Sequence, residues 1–168
     1  MRMDDQSNPV RELSLVIFAA NGRLISAGNE LVAHLGLTSA WWQVLAALRY
    51  SPVPLPTASL ARNMGLTRQA VQRIVGLLAE RAMVEFQDNP HHRRAKLIVL
   101  TPSGIKALAA AEEAVAQIDQ AITERIGSER LQEAKATLAQ MSDMITAWME
   151  RGSHPTAHGP DNDKDAQP

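Results

Sequence analysis

From Val10 the apolar positions Leu13, Ile17, Ala20, Leu24, Leu31 and Leu35 recur at intervals of three, four and seven, the period of a long amphipathic helix. Asn21-Gly22 is a turn dipeptide within that run and Gly28 weakens it further, leaving two points at which the helix can kink or break. Ser39 then caps a shorter helix carrying Trp42, Leu45, Ala46 and Leu48. Three prolines between Ser51 and Pro56 force an extended connector, because each lacks a backbone N–H and disfavours helix in the residue before it. A short helix from Thr57 to about Met64, Gly65, and a second helix from about Thr67 to Arg81 follow. Val84 to Gln87 and Lys96 to Leu100 read as strands flanking a polar hairpin loop. Pro102 opens a helix with Ile105, Leu108, Val115, Ile118, Ile122 and Ile126, which ends near Gly127. Ser128 begins a last helix with Leu131, Ala134, Leu138, Met141, Ile145 and Trp148.

Three of these helices, the first and the last two, carry apolar stripes that the compact middle is too small to cover. Burying them against a second copy is the simplest solution; packing of the three within one chain is the alternative. The expected organisation is a disordered arm (1–9), the N-terminal part of a helical dimerisation region (10–37), a central domain (38–101), the C-terminal dimerisation helices (102–151) and a disordered tail (152–168).

The middle is also where the charge sits. Between Thr38 and Thr101 eight Lys/Arg face three acids, a local charge of +5 in a chain of net charge −1. A basic middle between acidic ends points to a polyanion-binding face, with chance clustering on a solvated surface as the bland reading. The chain has no cysteine, which excludes a disulfide scaffold, a Cys-based zinc site, an iron–sulfur cluster and a thiol redox sensor. The longest apolar run, Leu15 to Ala20, is too short to span a bilayer, and Asp4 and Asp5 stand where a secretory signal would be basic, so the expectation is a cytoplasmic protein with no membrane partner. No GxSxG, HExxH, Walker A or GxGxxG motif occurs, so no enzyme and no cofactor is expected.

The stretch from Leu60 to Ile74 meets the demands of a helix–turn–helix. Ala61 is small enough for a helix to cross it, Gly65 accepts a left-handed turn, and Thr67 caps the second helix. Val71, Ile74, Val75 and Leu78 point inward to meet Leu60 and Met64. That leaves Arg68, Gln69, Gln72 and Arg73 facing out, the residue types that fork to guanine, pair with adenine or grip phosphate. No acid occurs from Thr57 to Ala79, where an ordinary solvated face would mix in Glu and Asp. In the hairpin loop, neighbours on an extended segment point apart. One of Arg93 and Arg94 is therefore expected to reach DNA and the other to pack back, for instance on Asp88, with Lys96 adding charge; a solvated tip is the alternative. His91 and His92 sit beside them. Histidine ordinarily changes charge between about pH 5 and 8, so a phosphate near either would bind more tightly as pH falls. As sequence neighbours they diverge, which argues against a metal site.

The order of elements, the helix–turn–helix, and Val84-Glu85 leading through Asn89-Pro90 and Arg93-Arg94 to Leu100-Thr101-Pro102-Ser103-Gly104 resemble the MarR family of bacterial transcriptional regulators, over about Val10 to Arg151. The resemblance implies a mainly α, winged helix-turn-helix fold with a two-stranded β wing, working as a homodimer on double-stranded DNA. The helix from Thr67 would read the major groove and a wing arginine would enter the minor groove. Two positions depart from the usual wing: His92 stands where Asp precedes the Arg pair, and Phe86 where Arg is common. The resemblance also implies a small, aromatic or acidic effector, for which His34, Trp41 and Trp42 are the candidate pocket; burial of both tryptophans at helix junctions is the alternative. The function expected is a ligand-responsive repressor of a pseudo-palindromic operator, against a winged-helix module for RNA or acidic protein partners without operator specificity.

Overall fold

The computed structural model describes residues 8–92 and 94–152. The expected arm and tail lie outside these residues except at their inner edges, where Asn8 caps the first helix, Pro9 opens it, and Gly152 closes the last. The described chain forms two compact units that divide after Asp119.

Helix α1 (Pro9–Val32) is continuous. Asn8 Oδ1 accepts from the backbone N–H groups of Val10 and Arg11, and Pro9 occupies the first turn, where its missing donor is harmless. Asn21-Gly22 does not break it. A glycine in an exposed helix costs about 1 kcal/mol, less than renucleating a second helix would. The break comes later, in a single 3-10 turn (Ala33–Leu35) closed by Gly36 in the left-handed conformation, φ 67°. Gly28 is not a weak point but a close approach: a Cβ there would lie 2.8 Å from Ser39 Oγ.

Helix α2 (Ser39–Arg49) leaves α1 and its 3-10 turn across a bend of 89°. Its cap is Thr38 rather than Ser39. The Thr38 hydroxyl accepts from Trp41 N–H at 3.2 Å, while Ser39 is buried, its N–H donating to Asn29 and its Oγ accepting from Gln43. At the far end of α2 the Tyr50 hydroxyl donates to Glu112. That bond raises the phenol's pKa above its ordinary value, because ionisation would put a second negative charge beside the carboxylate. No single helix among the described residues is long and apolar enough to cross a membrane.

The proline-rich connector leads into strand β1 (Leu55–Pro56), then α3 (Thr57–Met64), α4 (Arg68–Glu80), β2 (Val84–Gln87), β3 (Leu97–Leu100) and α5 (Pro102–Ile126). Among the described residues the sheet has three antiparallel strands in the order β1-β3-β2: β2 and β3 form the expected two-stranded wing, and β1 adds to its edge, Leu55 pairing with Ile98 and Pro56 with Leu97. Proline is tolerated there because β1 lies at the edge of the sheet. Val44 and Leu45 of α2, Leu60 and Ala61 of α3, Val71, Val75 and Leu78 of α4, Val84, Ile98 and Leu108 form one buried core. A second group, Val32, Leu37 and Ala111, seals the α1–α2 junction.

In the other unit, Gly127 (φ 92°) ends α5, and α6 (Ser128–Gly152) follows. Leu138, Met144, Ile145, Trp148 and Met149 of α6 are all exposed.

Candidate nucleic-acid interface

The helix–turn–helix is assembled as its residue types require. Leu60 and Ala61 are buried where α4 crosses α3. Gly65 takes φ 64°, and a Cβ there would meet open space, so it is conformation rather than crowding that calls for glycine. The N–H of Leu66 donates to the Ala61 carbonyl, and Thr67 Oγ1 accepts from Ala70 N–H at 3.2 Å, which starts α4. Val71, Val75 and Leu78 face the core with Ile74 half-buried beside them. The same rotation leaves Arg68, Gln69, Gln72 and Arg73 exposed.

The hairpin is held differently. β2 and β3 pair from Val84 with Leu100 to Gln87 with Leu97. Beyond them the loop closes through small polar turns: Asn89 Oδ1 accepts from His91 N–H, the Asn89 carbonyl from His92 N–H, and the His92 carbonyl from Ala95 N–H. His91, His92, Arg94 and Lys96 are exposed. Among the described residues Asp88 pairs with Lys96, at 3.8 Å between largely exposed groups. Arg93 lies outside the described residues.

Between α4 and the wing runs an open groove of about 790 Å³. Arg68 and Gln72 line it from the helix, and His92, Arg94 and Lys96 from the wing. Gln69, Arg73 and His91 are exposed but do not line it, and Thr67 serves as the helix cap. Five lining residues were not expected as site residues: Pro56, Thr57 and Ala58 at the start of α3, Phe86 on β2, and Ala95 in the wing. Phe86 follows Val84 on the same face of β2 and remains half-exposed in the groove wall. The anomaly of a large aromatic at an outer strand position was the signal available for it. Among the described residues three permanent cations and no carboxylate line this groove, so it suits a polyanion.

The candidate effector residues are placed less coherently. His34 is exposed in the 3-10 turn. Trp41 and Trp42 are both half-buried and both pack on the two apolar cores. Trp41 carries the Arg81 guanidinium 4.4 Å from its ring centroid, and the buried Nε1–H of Trp42 has no hydrogen-bond partner among the described residues. No group of three or more His, Asp or Glu among those residues is placed to share a metal ion.

Comparison with known proteins agrees with this architecture. The MarR family model matches residues 35–95. An uncharacterised protein of Mycobacterium tuberculosis is 31% identical over 135 residues, spanning 80% of this chain and 93% of the relative. The crystal structure of a MarR-family transcriptional regulator from Rhodococcus superposes with a TM-score of 0.69 at 22% identity, over 81% of this chain and 96% of that one. A mutant MarR from E. coli complexed with operator DNA superposes with a TM-score of 0.66 at 22% identity, over 82% and 99% of the two chains. With its three-stranded winged helix-turn-helix and its long flanking helices, this chain belongs to the MarR family of transcriptional regulators.

Proposed function

We propose that the chain is a sequence-specific repressor that binds a pseudo-palindromic operator as a homodimer and releases it in response to a small aromatic or acidic effector. The carrying observation is the groove in which Arg68 and Gln72 face Arg94, Lys96 and His92. In this reading α4 enters the major groove, with Arg68, Gln69, Gln72 and Arg73 at base edges and phosphates, and the wing follows the backbone to the adjoining minor groove. The solved E. coli MarR complex with operator DNA supports the partner.

Two observations support the finer points. Val10, Leu13 and Leu24 on α1, and Leu138, Ile145 and Trp148 on α6, are exposed positions of the apolar stripes, faces that a second copy would cover. Such a pair would present two α4 helices to half-sites about 34 Å apart. The Nε1–H of Trp42, without a hydrogen-bond partner among the described residues, supports an effector bearing a carboxylate or carbonyl acceptor, since leaving that donor unpaired costs about 1–3 kcal/mol.

Selection from a randomised duplex library, followed by salt titration on the winning duplex, a scrambled duplex and an RNA of the same length, tests the DNA reading. A steep salt dependence with a preferred inverted repeat is expected; equal binding to all three would favour a module for RNA or acidic partners. Light scattering coupled to size exclusion is expected to give twice the chain mass.

A further inference from the structure

The end of α4 away from the groove is tied to the rest of the fold by a single side chain and a clamped turn. Arg81 caps α4. Its guanidinium stacks on Trp41, 4.4 Å from the ring centroid, and its Nη1 donates to the Gly36 carbonyl at 3.0 Å. One side chain therefore joins the end of α4 both to α2 and to the left-handed turn that follows α1. The next residues are clamped from the opposite side. Ala82 takes φ 53°, rare for a residue with a Cβ, and its carbonyl accepts from the Thr101 hydroxyl at 2.6 Å. The Met83 carbonyl accepts from Thr101 N–H, and a Cβ on Gly104 would come within 2.0 Å of that oxygen.

The geometry points to Arg81 as a positioning residue for DNA reading, which rests on the function proposed above. The turn after α4 is immobilised by Thr101 and Gly104, so Arg81 decides how the helix end sits against the α1–α2 junction. α4 is about 20 Å long, so a change of tilt at Arg81 moves Arg68 and Gln72 along the base edges they are aimed at. Arg81 lies at the end of α4 away from the groove and does not line it, so it acts without touching DNA.

Three variants test this: Arg81→Met, which keeps bulk and loses the cation; Arg81→Lys, which keeps a cation over Trp41; and Trp41→Phe, which weakens the ring's attraction. Each is measured against the selected and the scrambled duplex over a range of salt, with thermal unfolding alongside. Arg81→Met is expected to bind the selected duplex about tenfold more weakly, with scrambled-duplex affinity and salt slope unchanged. Arg81→Lys is expected to recover part of the loss and Trp41→Phe to reproduce part of it. Equal losses on both duplexes with a shallower slope would make Arg81 a phosphate contact and overturn the inference. Undiminished discrimination in Arg81→Met would overturn it too; if that variant does not fold, undiminished discrimination in both Arg81→Lys and Trp41→Phe does so instead. A parent protein that cannot tell the duplexes apart would overturn the proposed function itself.

Discussion

Two basic elements face each other across the groove, and they are built on opposite principles. α4 presents Arg68 and Gln72 from a helix whose other face is nailed down by Val71, Val75 and Leu78, with a threonine cap at its start. The wing tip presents His92 and Arg94 from a loop closed by backbone and Asn89 turns, with a long Lys96–Asp88 pair as its side-chain bridge. Burial determines where α4's polar side chains point before any DNA arrives. The tip supplies charge with little preset geometry. A helix of this kind suits base reading, which needs atoms in place, whereas phosphate attraction tolerates a looser presentation.

Breaking the anchored side should do the most damage. Leu78→Ala removes a fully buried side chain from the core and should lower stability by about 2–5 kcal/mol, read from urea unfolding. Arg68→Ala should leave unfolding unchanged and cost about 1–3 kcal/mol of binding on the preferred duplex, with little change on a scrambled one. Gly65→Ala places a Cβ at φ 64° and should destabilise by about 1–2 kcal/mol, although the space around it is open. On the wing, Arg94→Ala should weaken every duplex alike and reduce the salt slope by about one.

The helix–turn–helix was readable because its demands are local. Period, Gly65 and Thr67 all act within one turn of where they stand. β1 was not readable. Leu55-Pro56 carries no alternation and looks like a breaker, and it is a strand only because β3 offers a free edge to it. The same holds for α2's cap: Thr38 and Ser39 are both good N-cap types, and burial of Ser39 under α1, against Gly28 and Asn29, leaves the role to Thr38. Arg81 was likewise an ordinary residue at its helix end until distant partners were placed around it.

By itself, then, the amino-acid sequence determined the helices and the β2–β3 hairpin, the corner between α3 and α4, and which side chains of α4 point outward, since periodicity, caps and left-handed turns are short-range physics. Only the tertiary structure decided that Leu55-Pro56 is a strand, that Thr38 rather than Ser39 caps α2, and that the end of α4 is strapped to Trp41 and Gly36. Those outcomes depend on contacts between residues far apart in the chain, whose energies no local pattern encodes.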